Sequence, residues 1–142
     1  YHGELVCFHN EGCRNLTYEN IRIYSVPGFG FQNRNFNSNW QLLHCVIAPP
    51  EGDPKRVITT TVDDYGQERT LGNMKMIGCR FNFGHDDAIN MLNSNYPVVR
   101  ADAKTIVTRN LVAGIKTLHV GDRMEVRTAT LAPTGFFTKI VF

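Results

Sequence analysis

Asn15-Leu16-Thr17-Tyr18-Glu19-Asn20-Ile21-Arg22-Ile23, Asn39-Trp40-Gln41-Leu42-Leu43-His44-Cys45-Val46-Ile47 and Asn73-Met74-Lys75-Met76-Ile77-Gly78-Cys79-Arg80-Phe81 are three readings of one pattern. Each opens on Asn, follows with apolar residues at the second and fourth positions, and resumes the alternation after two spacers. Leu16/Tyr18, Trp40/Leu42 and Met74/Met76 fill the first half; Ile21/Ile23, Cys45/Ile47 and Cys79/Phe81 fill the second. A period of two marks a strand with one buried face. The phase slips by one residue between the halves, as a bend between two short strands requires.

The stretches lie 24 and 34 residues apart. A 24-residue unit with ten residues added once accounts for both spacings, and Ala48-Pro49-Pro50-Glu51-Gly52-Asp53-Pro54-Lys55 supplies the insertion, being rich in turn formers. An earlier partial unit is read with Leu5-Val6-Cys7 lying 24 residues before Phe29-Gly30-Phe31. Units of this length without a helical period predict an all-β chain, a right-handed parallel β-helix whose coils stack about 4.8 Å apart. The predicted coils occupy residues 1–95. From 96 to 142 the pattern lapses into short alternating strands around Gly121-Asp122 and Pro133-Thr134-Gly135, which predicts a small antiparallel β-barrel or sheet.

Composition narrows the function classes. The 142 residues are 42% hydrophobic and 20% charged, an ordinary globular balance. Fifteen basic against 13 acidic residues leave a net charge of +2, too even for a nucleic-acid footprint. No apolar run approaches the roughly 18 residues of a spanning helix, so no membrane partner is expected. The chain begins at Tyr1 and ends on the alternating run Phe136–Phe142, which reads as a piece of a larger protein whose open coil edges invite self-association. Cys7, Cys13, Cys45 and Cys79 include no C-x-x-C pair, against a zinc site. Cys45 and Cys79 take the slot of Ile21 and are expected to stack as interior thiols, with a disulfide between them as the alternative.

Polar residues break the pattern at Thr59-Thr60-Thr61-Val62-Asp63-Asp64 and at His85-Asp86-Asp87-Ala88-Ile89-Asn90. Asp63 precedes Asp86 by 23 residues and Asp87 by 24, so the register stands the carboxylates on adjacent coils, in the slot of Leu5 and Phe29. Stacked acids repel and desolvate one another, a cost tolerated most readily at a site. Close carboxylates titrate together, one holding a proton while another is ionised. That is the equipment of a glycosidase, an acid for the leaving oxygen and a base for water. An Asp ladder that binds calcium or caps the ends of strands is the alternative; calcium needs six to eight oxygens, to which Asn90, Asn93 and Asn95 are available.

The run from Asn15 to Asn90 resembles β-helix glycoside hydrolases, above all the α-1,3-galactosidase family, glycoside hydrolase family 110. Gly78-Cys79-Arg80-Phe81-Asn82-Phe83-Gly84-His85-Asp86-Asp87-Ala88-Ile89-Asn90 is similar to that family's segment ending in Asp-Asp-Ala-Ile-Asn, and Thr60-Thr61-Val62-Asp63 to its Thr-Ala-Asp segment one coil earlier. The resemblance implies hydrolysis of a terminal α-linked galactose by single displacement with inversion, without cofactor or metal. It assigns catalysis to Asp63, Asp86 and Asp87 without fixing which is the acid; the reading favoured here has Asp86 as acid and the other two holding the water. His85, Asp64 and Asn90 are the expected substrate-binding residues, and a galactose-containing glycan the partner. Secretion or a periplasmic location follows from the same resemblance. The chain departs from the family where Met91-Leu92-Asn93 follows the aspartates and Tyr65-Gly66 follows Asp63-Asp64, which leaves His85 as the one imidazole beside the acids. His85 either orients a carboxylate, binds a hydroxyl, or is an exposed turn residue. Polygalacturonase-like hydrolases also carry such aspartates, but their Gly-His-Gly and Arg-Ile-Lys elements are not found here. A non-catalytic β-helix module that binds glycans or simply stacks is the reading from another class.

Overall fold

The computed structural model describes residues 5–93, 95–109 and 120–137. Strands and turns make up the described residues, with no helix among them and none long and apolar enough to cross a membrane. Two compact units divide the chain, Tyr1–Leu111 and Val112–Phe142.

Three parallel sheets build the first unit, and the chain visits them in rotation. The first sheet takes β1 (Leu5–Glu11), β4 (Gly28–Arg34), β7 (Tyr65–Glu68) and β10 (Ile89–Leu92), in that order. The second takes β2 (Arg14–Glu19), β5 (Ser38–Leu43) and β8 (Leu71–Ile77); the third takes β3 (Arg22–Ile23), β6 (Val46–Ile47) and β9 (Arg80–Phe81). The three quoted stretches pair residue for residue. Leu16 lies against Trp40 and Trp40 against Met74; Tyr18, Leu42 and Met76 form the next row. Ile23, Ile47 and Phe81 form the row in the third sheet.

The phase slip between the halves is a corner made by left-handed backbone. Asn20, His44 and Gly78 occupy the same place in successive passes, with φ of 57°, 52° and 62°. Asn tolerates this region and glycine enters it freely. At Gly78 glycine is also a steric requirement, because a Cβ there would collide with the His44 imidazole.

Phe31, Trp40, Leu42, Cys45, Ile47 and Tyr65 are the centre of the core. Phe8 and Phe31 stack with ring centroids 5.1 Å apart, and Trp40 and Tyr65 with centroids 4.7 Å apart. Cys45 is buried and Cys79 half-buried, and both are free thiols. A buried polar chain threads the same interior. The Asn10 amide donates to Asn33 (2.7 Å), the Asn33 amide to the Tyr65 hydroxyl (3.0 Å), and Tyr65 to Gln67 (2.8 Å).

Two sequence expectations are corrected here. Leu5 pairs with Gly28 and Val6 with Phe29, an offset of 23 rather than 24. The inward alternation decides it: the shifted register would set outward-facing Cys7 beside buried Phe31, whereas the observed one stacks Phe8 on Phe31. Pro133-Thr134-Gly135 is not a turn but part of β14 (Pro133–Phe137), antiparallel to β13 (Met124–Arg127). The turn lies earlier, where the Thr128 N–H donates to the Ala132 carbonyl (2.9 Å) and Leu131 takes φ 64°.

After Tyr96 pairing becomes antiparallel, β11 (Val98–Ala101) with β12 (Ile106–Thr108) in the first unit and β13 with β14 in the second. Residues 138–142 of the alternating run at the chain's end lie outside the described residues. Among the described residues, β10, β8 and β9 end their sheets. Ile89, Met91 and Leu92 on β10 and Leu71 and Ile77 on β8 are exposed there.

Candidate functional site

The two pattern-breaking clusters meet at the start of β7 and β10. Tyr65 pairs with Phe31 on one side and with Ile89 on the other. Two residues earlier, the same register sets Phe29, Asp63 and Asp87 in one row, and Val6 precedes Phe29 in it. The row therefore begins with Val6 where the sequence spacing had set Leu5. Backbone bonds extend the ladder through this segment: Gly30 N–H to Asp63 carbonyl (3.2 Å), Asp64 N–H to Asp87 carbonyl (3.0 Å) and His85 N–H to Thr60 carbonyl (3.0 Å).

Asp63, Asp86 and Asp87 converge. One carboxylate oxygen from each lies within 4.8 Å of the others. Asp63 is the buried member, 5% exposed, while Asp86 and Asp87 are exposed. Burial pushes the Asp63 carboxyl above the usual carboxylate range, and the charges of Asp86 and Asp87 push the same way. Hydrogen bonds from the Asn90 side chain and the Asp87 backbone oppose the rise. Asp86 also receives the Asp87 N–H (3.0 Å), which pins the tip of the loop.

Asp64 lies apart from this group. It is 1% exposed, and its Oδ1 accepts the Thr60 hydroxyl at 2.6 Å. Burial, and behind it the Asp63 charge, raises its carboxyl above the usual range, while the Thr60 bond lowers it. A side chain so enclosed is not available to a sugar, so the expected substrate-binding role does not fit it. It braces the segment that carries Asp63. Asn90 does reach the cluster. His85 is exposed, and among the described residues its side chain makes no ion pair or hydrogen bond with the acids. Of the readings open for it, the exposed bend residue is the one this arrangement fits.

Three residues of the site carry no signal in the pattern of acids. Gly66 pairs with Asn90, and a Cβ on it would stand 3.1 Å and 3.2 Å from two Phe29 ring carbons and 3.4 Å from Asp63 Oδ2. The ring of Phe29 and the Asp63 carboxylate thus share the space that glycine leaves open. At Gly84 a Cβ would meet both Asp64 oxygens (3.0 Å and 3.1 Å) and the Thr60 hydroxyl (3.1 Å). The close approach at these two glycines is visible only once the strands are stacked.

A separate shallow groove of about 350 Å³ lies over the second sheet, lined by Asn and Gln amides, Thr17 and Lys75. Lys75 is the ionisable side chain among its lining residues. What the aspartate cluster can do is share a proton among converging carboxylates, or bind a hard cation. No family model matches the chain, and no curated protein matches it either.

Proposed function

We propose that the chain is a glycoside hydrolase that cleaves a terminal α-linked galactose, with the coils of a right-handed parallel β-helix carrying its acids. The observation that supports this best is the convergence of Asp63, Asp86 and Asp87 within 4.8 Å, one buried and two exposed. Burial raises the Asp63 carboxyl above the usual carboxylate range, which suits a proton donor, while the exposed carboxylates beside it have room for water. The acid role therefore passes from Asp86, favoured on the sequence, to Asp63. Asp86 and Asp87 hold the water, and Asn90 orients Asp63.

Proton transfer from Asp63 to the glycosidic oxygen releases the aglycone as an alcohol. Water attacks the anomeric carbon as its proton passes to Asp86 or Asp87. Inverting pairs stand about 6.5–9.5 Å apart and retaining pairs about 5–5.5 Å. With carboxylate oxygens within 4.8 Å of one another the cluster is tighter than the inverting spacing, so the anomer released first is the decisive readout. The glycan is met outside the cytoplasm, in a secreted or periplasmic setting, in line with the family resemblance.

The test is proton NMR of the protein with aryl α-galactoside and with α-1,3-linked galactobiose. Galactose released first as the β-anomer, and lost in Asp87→Asn at unchanged melting temperature, supports the proposal. Absence of turnover on both substrates favours the non-catalytic glycan-binding module instead.

The same convergence favours a second reading, a calcium ion held by the three carboxylates with the Asn90 amide oxygen. Under that reading calcium raises the melting temperature and Asp86→Asn abolishes the rise.

A further inference from the structure

We infer that Cys45 and Cys79 are a redox pair, which a small disulfide such as glutathione disulfide oxidises to a protein disulfide. The bond staples the strand that leads toward Asp86 and Asp87 to the neighbouring pass of the chain. The inference stands apart from the glycosidase reading.

Val46 pairs with Arg80 in parallel register, so the residues directly before them, Cys45 and Cys79, lie side by side in one row. The Arg80 N–H donates to the Cys45 carbonyl (3.0 Å) and locks that row. Both side chains belong to the interior: Cys45 is part of the buried core and Cys79 packs against it. Neighbouring parallel strands lie about 4.8 Å apart, inside the roughly 4.4–6.8 Å between Cα atoms that a disulfide bridges. The sulfurs also lean the same way. Cys45 Sγ donates to the carbonyls of Tyr18 and Leu43, both at 3.5 Å. Cys79 Sγ donates to the carbonyls of Ile77 (3.6 Å) and Leu42 (3.4 Å), and Leu42 lies on the strand that runs into Cys45. The Cys79 sulfur thus already reaches across to the preceding pass. Burial pushes the Cys45 thiol up; backbone hydrogen bonds oppose the rise, and the Cys79 side chain beside it adds to it.

Access is unequal. Cys45 is buried, whereas Cys79 is half-buried on the strand that ends its sheet among the described residues. A small disulfide therefore meets Cys79 first. The Cys79 thiolate attacks one sulfur of glutathione disulfide; a Cys79–glutathione bond forms, the glutathione S–S bond breaks, and one glutathione thiolate leaves and takes up a proton. The Cys45 thiolate then attacks Cys79 Sγ, and the second glutathione leaves in the same way. Two protein thiols are oxidised, giving up two electrons and two protons, while one glutathione disulfide is reduced to two thiols. Side chains that project in parallel keep their Cβ atoms near the strand spacing, above the mean of about 3.8 Å for a disulfide. The bond therefore closes under strain, and excess reduced glutathione reopens it.

The test incubates the folded wild type, and a Cys7→Ser/Cys13→Ser protein, with glutathione disulfide. Non-reducing peptide mapping by mass spectrometry and thermal melting follow. A linked Cys45–Cys79 peptide pair, a melting temperature raised by about 5 °C and reversal of both by reduced glutathione are expected. Cys79→Ser should abolish the link and the rise; Cys45→Ser should stop at the Cys79–glutathione adduct. Thiols that stay free, or a lasting glutathione adduct on Cys79 with Cys45 present, overturn the pair. So does a link that forms only in denaturant, because the folded row then fails to align the sulfurs. A link that leaves the melting temperature unmoved overturns the staple.

Discussion

Asp64 and Thr60 close on each other at 2.6 Å in the interior, the hydroxyl donating to Oδ1, beside Gly84, where a Cβ would stand 3.0 Å and 3.1 Å from the two carboxylate oxygens. That buried pair fixes the segment from which Asp63 projects. Replacing Thr60 with Val leaves a buried carboxyl oxygen without its donor, at a cost of about 1–3 kcal/mol. Gly84→Ala presses a methyl group against the same oxygens and should cost about as much. Chemical denaturation measures both, and a loss below about 0.5 kcal/mol would mean that the pair is not a brace.

Burial raises both the Asp63 and Asp64 carboxyls, so the folded chain binds protons more tightly than the unfolded chain. The sign follows directly: this contribution is full below the unfolded carboxylate pKa of about 3.9. It is lost as pH climbs through the raised folded values. Asp63→Asn removes one of the two groups. Its melting temperature should exceed that of wild type at neutral pH, with the gap closing toward about pH 4. A gap that widens on acidification would contradict the direction assigned here.

The corner at Gly78 combines a left-handed backbone with contact to the His44 ring. Gly78→Ala should therefore destabilise by more than the roughly 1 kcal/mol of backbone strain alone. Adding His44→Ala should return the steric part and leave the strain. A double-mutant cycle on denaturation free energies separates the two, and strict additivity would remove the contact from the account.

Tyr65 both donates to Gln67 and accepts from Asn33, and burial holds its phenol well above the usual value. Tyr65→Phe strands the buried Asn33 amide and the half-buried Gln67 side chain and should cost about 1–3 kcal/mol, although it alters volume very little. An unchanged unfolding midpoint would show that the polar chain adds no stability.

Much of this was legible in the order of residues. The Asn-led stretches fixed the pairing of Leu16, Trp40 and Met74, since only one register keeps every alternate side chain on the interior face. The same count brought Asp63 to Asp86 and Asp87. It failed at β1, where no Asn anchor precedes Leu5 and a one-residue error costs nothing on paper but turns every side chain over. It missed the turn before Pro133, because Pro at the start of a strand reads the same as Pro in a turn. Asp64 read as an open carboxylate, because its burial beneath Gly84 depends on the next pass of the chain. Phe29 read as one more apolar residue in the row, for its partner is the side chain that Gly66 lacks.

The most direct measurement is the pH dependence of kcat/KM on aryl α-galactoside. The account predicts a bell whose alkaline limb is the loss of the proton on Asp63. In Asp86→Asn that limb should move toward acid, because one of the charges holding the proton in place is gone. Hydrolysis at no pH, or an alkaline limb that stays put when Asp86 is neutralised, would contradict it.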